Sequence, residues 1–437
     1  MIKLMHSCQN VWPQIGLMAL SIILCTAPLQ AQQITRSPDP NQTLSQRWAW
    51  AEHHARKEFP RPGAWIGYSI QQMMSSHSFI GSMSIEDDCM RIKGKSLSAL
   101  LNGVPAPDSL PCGKRGRKAE AREVLKEIGF FFRFMPGRND FAEIQMSTFS
   151  LAVDFENRPV LWLGRVAETE SMGWLKQLYR RNLNAQAKEE LIGVMGTHAS
   201  SPERQTFLAE LLKSREDDEV RKQAAFFLGQ KADRATIALL QETAQQDRAE
   251  DVRKQAVFAL TQTKSPEACA ALAALVKTGN SLEVRKDALF WLGQTQSEHA
   301  VSALKEVLQR EDRELQKHAV FVVTQLSEAQ SFPLLIAIAE QHARQEIRKE
   351  ALFWLVQTHN KKAVPVLKQA VDKDGYEVQK HAVFALSQLP REEGTPLLID
   401  IARTHADHQI RKEAMFWLGQ SDDPRAAEAL IKIVRGK

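Results

Sequence analysis

The stretch that decides the fold is Val220-Arg221-Lys222-Gln223-Ala224-Ala225-Phe226-Phe227-Leu228-Gly229-Gln230. Six similar stretches follow it, and they begin at Val252, Val284, Leu315, Ile347, Val378 and Ile410. The interval between neighbouring copies is always 31 or 32 residues. A constant period in this range predicts a stack of supersecondary units.

Apolar residues between the copies also recur with helical spacing, as at Ala300, Val301, Leu304, Val307 and Leu308. Each unit is therefore predicted to be a pair of short antiparallel helices. The copies resemble the HEAT-repeat family in its short bacterial form, the PBS-lyase-like HEAT repeat, whose second helix reads Val-Arg-x-x-Ala-x-x-x-Leu-Gly.

This resemblance covers roughly residues 172–437 and implies a mostly α-helical protein with an α-solenoid that binds other proteins. We expect a degenerate first repeat, seven regular repeats and a C-terminal capping helix in this range. The resemblance indicates no particular partner, and the lyase in the family's label implies no activity here.

Three motif positions hold the same residue in all seven copies. With the first residue numbered 0, position 2 is Lys, position 6 is Phe and position 10 is Gln, and an α-helix turns about 100° per residue. These positions share one face, opposite a predicted core stripe at positions 0, 4, 7 and 8. The resulting candidate binding residues are Lys286, Phe290, Gln294, Lys317, Phe321, Gln325, Lys349, Phe353, Gln357, Lys380, Phe384, Gln388, Lys412, Phe416 and Gln420.

The resemblance places second helices on the concave surface, where the family usually has a small or polar residue at position 6. Seven phenylalanines there predict an apolar docking surface rimmed by ammonium groups and amides. The alternative is that each ring lies between neighbouring second helices as inter-repeat packing, covered by lysine stems.

Two positions alternate along the copies. Position 7 alternates large and small residues in Phe227, Ala259, Trp291, Val322, Trp354, Ala385 and Trp417, which makes the structural unit two repeats long. Position 3 alternates acids and histidines in Asp287, His318, Glu350, His381 and Glu413. The two hypotheses for that row are a pH-sensitive ladder, with each histidine between two acids, and a solvated polar row.

The first 31 residues resemble a secretory signal, with Lys3, an apolar run over 15–24 and cleavage near Ala31. We therefore expect an exported bacterial protein, periplasmic or extracellular, with no membrane span in the mature chain. Cys89 and Cys112 are candidates for one disulfide in an oxidising compartment. Cys269 lies in an apolar helical pattern and is expected to be a small buried hydrophobe.

Residues 32–165 predict a small α+β or β-rich region. A polar leader over 32–45 precedes a short helix over 48–59 and strands over 64–70, 128–135, 141–146 and 160–163. A hairpin signal lies at 136–140. The basic run Lys114, Arg115, Arg117 and Lys118 is expected to be a solvated loop rather than an anion-binding surface.

The charge balance and the missing motifs narrow the function. The chain has 57 Lys and Arg against 52 Asp and Glu, which argues against a dedicated nucleic-acid binder. It has no His-Glu-x-x-His, Gly-x-Ser-x-Gly, Gly-x-Gly-x-x-Gly or Cys-x-x-Cys motif. We predict a non-enzymatic scaffold without metal or cofactor that binds a protein or extended peptide on its concave face.

Two alternatives stay open at this point. One is a structural envelope scaffold without a discrete groove. The other is an enzyme with a site in the N-terminal region, where His53, His77, Cys89 and Asp154 are available without a spacing that ties them together.

Overall fold

A computed structural model describes residues 32–61, 63–76, 78–81, 84–86, 89–91, 95–104, 122–138, 141–310, 312–358 and 362–435. The predicted signal segment, the basic run at 114–118, His77 and Cys112 lie outside these ranges. The signal peptide, the basic loop and the Cys89–Cys112 bridge therefore stay predictions.

The N-terminal part of the described chain is a mixed sheet with flanking helices. Its strand order is β1-β7-β2-β5-β6, with β1, β7 and β2 parallel and β2, β5 and β6 antiparallel. The strands are β1 Ile34–Arg36, β2 Ala64–Ser75, β5 Glu123–Phe134, β6 Phe141–Thr148 and β7 Val160–Arg165. Strands β3 Ser84–Glu86 and β4 Cys89–Arg91 form a separate antiparallel pair, and helices α1 Leu44–Glu58 and α2 Leu97–Asn102 complete the region.

Both faces of this sheet are covered. Tyr68, Phe130 and Phe132 face α1 and the first helices of the stack, as part of a core that continues into the repeats. Phe131 and Trp162 face α2 in a second, smaller core. A sheet that is buried on both sides explains why its strands read as nearly continuous apolar runs rather than as an alternation.

One expectation for this region is wrong. Residues 32–45 are not a free leader, because Ile34, Thr35 and Arg36 pair with Val160, Leu161 and Trp162 at the parallel edge of the sheet. The predicted hairpin is confirmed, since β5 and β6 are antiparallel neighbours and Phe134 pairs with Phe141 across the turn.

The rest of the chain is a stack of helix pairs. A degenerate pair, α3 Glu168–Tyr179 and α4 Ala185–Thr197, precedes seven regular repeats and the final helix α19 Pro424–Val434. The first helices of repeats 1 to 7 are α5 Pro202–Lys213, α7 Arg234–Gln246, α9 Pro266–Thr278, α11 Glu298–Gln309, α13 Glu328–Gln341, α15 Ala363–Lys373 and α17 Arg391–Thr404. The second helices are α6 Asp218–Gly229, α8 Glu250–Gln262, α10 Leu282–Gln294, α12 Arg313–Val323, α14 Gln345–Gln357, α16 Tyr376–Ser387 and α18 His408–Gly419.

The core stripe of the second helices differs from the prediction at one position. Positions 0, 4, 5 and 8 are buried against the first helices, as Val252, Ala256, Val257 and Leu260 are in α8. Position 7 turns toward the preceding repeat instead. Its large members stay partly exposed, whereas its small members, such as Ala259, are buried.

The last helix covers its end of the stack incompletely. α19 contacts α17 and α18, but Ile431 and Val434 remain 51% and 82% exposed. No helix among the described residues is both long enough and apolar enough to cross a membrane.

Candidate functional site

The second helices form the inner side of the stack. Each of them packs more extensively against the next second helix than the corresponding first helices pack against each other. Closer approach on one side of a solenoid means that the stack curves toward that side. The positions that hold Lys, Phe and Gln in all seven copies therefore lie on helices of the inner side.

The seven position-6 phenylalanines form a row along this side, which we call the aromatic row. None of them is fully buried, and Phe416 at the C-terminal end is 55% exposed. The row is Phe226, Phe258, Phe290, Phe321, Phe353, Phe384 and Phe416. Several of the rings contact a neighbouring repeat, as the packing hypothesis predicts, and all of them keep part of their surface exposed. Whether the row is a docking surface stays a prediction.

The contacts within the aromatic row alternate with the residue at position 7. At two of the interfaces where position 7 of the following repeat is small, neighbouring phenylalanines stack in parallel, with centroids 6.5 Å apart for Phe226 and Phe258 and 6.4 Å for Phe290 and Phe321. Where it is tryptophan, the indole contacts the preceding phenylalanine, as Trp291 does with Phe258 at 4.9 Å. Ring contacts are continuous from Phe226 to Phe353.

The charges beside the aromatic row differ from the expected rim of ammonium groups. Lys222, Lys286 and Lys317 each form an ion pair with the glutamate three residues earlier, at 2.7, 3.3 and 3.4 Å. Lys254 pairs with Glu250 at 2.6 Å. The sequence interpretation overlooked these acids, although a residue at position −1 falls beside the phenylalanine on the helix surface. The rim is therefore of mixed charge.

Most of the glutamines at position 10 extend from the ends of the second helices. Gln230, Gln294, Gln357 and Gln420 are exposed, whereas Gln325 is half-buried and its amide donates to Thr324 Oγ1 at 3.0 Å. Their amides add donors and acceptors along one edge of the inner side.

Polar contacts between repeats alternate in step with position 7. At the first interface Arg221 binds Asp247, with Nε–Oδ2 and Nη2–Oδ1 distances of 2.9 Å. Arg285 likewise binds Asp312, and Arg348 binds Asp374.

The other interfaces use a histidine or asparagine side chain that bonds to a carbonyl oxygen of the preceding repeat. His342 Nε2 lies 2.8 Å from Leu308 O, and His405 Nε2 lies 3.1 Å from Val371 O. Asn280 donates to Gln245 O at 2.8 Å. His342 and His405 therefore hold neighbouring repeats together. In the sequence they are noticeable only because they occupy equivalent turns of two repeats.

The alternating row at position 3 does not form the series of acid–histidine pairs that one of the two hypotheses described. His318 Nε2 contacts the backbone oxygen of Lys286 at 3.0 Å rather than a carboxylate. Burial, together with the nearby ammonium groups of Lys286 and Lys349, lowers the pKa of His318 and His381 respectively.

The acids of that row have a local partner instead. Glu350 and Glu413 accept from the indole N–H groups of Trp354 and Trp417, at 2.9 and 3.0 Å. The shorter Asp287 leaves its Oδ2 atom buried without a hydrogen bond, and burial raises its pKa.

A buried polar chain that the sequence did not indicate joins the sheet to the first helices. Tyr68 Oη lies 2.9 Å from Ser171 Oγ, which lies 2.8 Å from His198 Nε2. His198 Nδ1 lies 2.9 Å from Val194 O, and because that carbonyl can only accept, Nδ1 carries the proton. Nε2 then accepts from Ser171, and Tyr68 donates to Ser171. Ser171 has no exposed surface, so this chain of hydrogen bonds acts in packing.

The candidates for a catalytic site in the N-terminal region lie on separate elements. His53 is on the exposed side of α1, Asp154 is in the turn before β7, and Cys89 is on β4. Asp154 caps its own turn by accepting from the Glu156 amide at 2.8 Å. In the described ranges, no group of three or more His, Cys, Asp or Glu side chains is arranged to hold a metal ion. Cys269 is a free, half-buried thiol.

Family models match the helical part of the chain. The model for HEAT repeats matches residues 205–293 and 332–407, and the model for the PBS lyase HEAT-like repeat matches residues 284–310 and 410–435. The chain belongs to the HEAT-repeat family. The expected solenoid of HEAT-like pairs with a small mixed N-terminal region is thereby confirmed. No curated protein matches this HEAT-repeat chain.

Three solved structures illustrate the similarity. Human deoxyhypusine hydroxylase in complex with glycerol is 19% identical over 58% of this chain and 96% of that chain, with a TM-score of 0.26. The complex of CpcE and CpcF of phycocyanin lyase from Nostoc sp. PCC7120 is 18% identical over 54% and 97%, with a TM-score of 0.27. Kap95p, whose binding acts on the switch loops of RanGDP, is 14% identical over 61% and 39%, with a TM-score of 0.33. At these identities the likeness concerns the fold alone.

These matches correct one prediction. The prediction that the chain is not an enzyme no longer stands, because a hydroxylase and a lyase are among the solved structures that match it.

Proposed function

We propose that this HEAT-repeat protein binds an extended segment of another protein along the aromatic row. The observation that carries the proposal is the spacing of the stacked rings, 6.5 Å for Phe226 and Phe258 and 6.4 Å for Phe290 and Phe321. An extended chain places alternate side chains of one face roughly 6.6–6.8 Å apart. A partner in that conformation can set one side chain against each ring of a stacked pair.

The chemistry of the face specifies the partner further. Half-buried rings favour apolar side chains, so the partner has apolar residues at alternate positions. Lys222, Lys286 and Lys317 are paired with glutamates, so their charges are neutralised. This part of the face therefore offers no opposite charge to a strongly charged partner. The exposed glutamine amides are suited to bonding the partner's free backbone groups.

We also propose that the chain is exported after cleavage near Ala31. A separate proposal is that residues 32–165 and 172–437 are its two structural regions. N-terminal sequencing of the protein recovered from the exported fraction tests the cleavage. Recovery of the chain only from the cytosol with residues 1–31 attached contradicts it.

The binding experiment uses fluorescence anisotropy with two labelled twelve-residue peptides of identical composition. One peptide alternates leucine and serine, and the other groups the same residues in blocks. We expect the alternating peptide to bind at least about fivefold more tightly, since a side chain that fills an apolar contact contributes on the order of 1 kcal/mol or more.

A matched pair of variants assigns the binding to the aromatic row. Phe290→Ser removes one ring of a stacked pair and is expected to weaken binding of the alternating peptide, whereas Ile431→Ser removes a 51% exposed side chain outside the row and is expected to have no effect. Circular dichroism verifies that both variants are folded. Equal affinity for the two peptides, or equal effects of the two variants, overturns the proposal.

A further inference from the structure

A cavity of about 680 Å³ lies at the edge of the stack between repeats 2 and 3. The turn between α8 and α9 forms one wall, and the end of α10 with the start of α11 forms the other. Its volume falls in the range of roughly 300–1,000 Å³ that is usual for sites of drug-sized molecules. It lies beside the aromatic row and does not depend on the function proposed for that row.

The turn beside the cavity has one of two forms that occur in the stack. The dipeptide Thr263-Lys264 lies between Gln262 and Ser265, the residue that caps α9, and Lys264 has a φ of 50°. Dipeptides occupy the same place in repeats 1, 3 and 7. In repeats 4 and 6 a single leucine takes the place of this dipeptide. Leu326 is buried, and Leu389 packs on the core. In repeat 2, therefore, no apolar side chain fills the space beneath the turn.

The left-handed backbone of Lys264 belongs to this form of the turn, since Gln296 at the corresponding position of the next turn has a φ of 54°. Lys264 itself lines the cavity.

The lining is chemically specific. Trp291, Cys269 and Pro266 supply apolar surface, and Gln262 and Gln294 supply amide groups. The edge of Trp291 is fixed by Phe258 and Phe290, with centroids 4.9 and 5.2 Å away. Aromatic rings bind other rings in offset or edge-to-face arrangements. We infer that this cavity binds a small planar aromatic molecule, which packs against Trp291 and bonds to the glutamine amides.

Cys269 provides a site-specific test, because its thiol lines the cavity. In thiol–disulfide exchange the thiolate attacks a reagent disulfide, forms the mixed disulfide and releases one reagent thiol. The full chain is equilibrated with disulfides of N-(2-naphthoyl)cysteamine or N-acetylcysteamine at increasing concentrations of 2-mercaptoethanol. Peptide mass mapping then measures the label on Cys269.

We expect removal of the naphthoyl label from Cys269 to require about tenfold more 2-mercaptoethanol than removal of the acetyl label. This ratio corresponds to roughly 1.4 kcal/mol of binding free energy from the ring. Trp291→Leu is expected to abolish this preference, whereas Trp354→Leu, the same motif position in repeat 5, is expected to retain it. Replacing Thr263 and Lys264 by one leucine, as in repeats 4 and 6, is expected to abolish it as well. Trp291→Phe is a milder variant if Trp291→Leu does not fold.

Equal retention of the two labels in the unmodified chain overturns the inference. So does a naphthoyl preference that survives in folded Trp291→Leu, because the ring would then be bound elsewhere.

Discussion

Arg221 of repeat 1 and Asp247 of repeat 2 form a bidentate ion pair whose side chains are only 2% and 8% exposed. A buried pair is strongly destabilised when one partner is removed, since the other charge is left without compensation. We expect Asp247→Ala to lower the free energy of unfolding by about 3 kcal/mol. Urea denaturation followed by circular dichroism measures this change.

The control for that variant is on the same arginine. Asp218 also contacts Arg221, at 2.8 Å, but its side chain is 52% exposed. Asp218→Ala is therefore expected to cost less than about 1 kcal/mol. Equal losses in the two variants would show that burial does not set the strength of the interaction.

Position 9 of the second helix offers a matched pair of glycines. A Cβ on Gly229 would lie 2.4 Å from Ala259 O in the next repeat, whereas a Cβ on Gly419 would meet nothing within 4 Å. We expect Gly229→Ala to destabilise the chain by about 1–3 kcal/mol through overpacking. Gly419→Ala is expected to be neutral or stabilising by up to about 1 kcal/mol, since alanine favours the helix. Thermal unfolding of both variants checks the difference, and a loss of stability in Gly419→Ala contradicts it.

Asp287 has the position of Glu350 and Glu413 but is one methylene too short to reach the indole four residues later. Asp287→Glu is expected to add a hydrogen bond to Trp291 and to stabilise the chain by about 1 kcal/mol. The reverse change, Glu350→Asp, is expected to remove such a bond and to cost a similar amount. If both variants unfold at the same urea concentration as the unmodified chain, the indole bonds contribute nothing to stability.

His198 predicts a pH dependence of stability. Burial, with a smaller effect of the Arg204 guanidinium, lowers its pKa from 6.5 to about 4. Below pH 6.5 the unfolded chain binds a proton that the folded chain excludes, so stability falls as the pH decreases toward 4. The loss is about 1.4 kcal/mol per pH unit, or roughly 3 kcal/mol over the interval.

The variant His198→Asn isolates this contribution. His318 and His381, whose pKa values are also lowered, are present in both proteins, and their effects cancel in the comparison. We expect the variant to lose less stability than the unmodified chain between pH 7 and pH 4. Parallel stability curves would mean that His198 titrates normally in the folded protein.

The periodic part of the fold could be predicted from the sequence because each copy places the same residue types at the same angles. The prediction was less accurate for residues whose contacts lie in a neighbouring copy. Position 7 reads as core on one isolated helix, yet Trp291 and Ala259 face the preceding repeat. Only the geometry of the stack distinguishes these two directions.

The site was predictable to a similar extent. The aromatic row followed from the recurrence of Phe, but the neutralising glutamates were missed because they lie one or two residues before the residue at which the motif was taken to begin. The hydrogen-bonded chain from Tyr68 through Ser171 to His198 had no local signal, since its residues come from a strand, a helix and the cap of a second helix, at separate places in the sequence. The β1 strand escaped notice because three residues paired at a sheet edge need no apolar pattern of their own.

The alternation at position 7 also restricts how such an array changes in length. Neighbouring repeats are not equivalent, because Arg–Asp pairs join one kind of interface and bonds from His or Asn side chains to carbonyl oxygens join the other. Loss of one unit would set two like surfaces against each other, whereas loss of two neighbouring units rejoins complementary ones. We therefore expect changes in repeat number that preserve folding to come in steps of 63 or 64 codons.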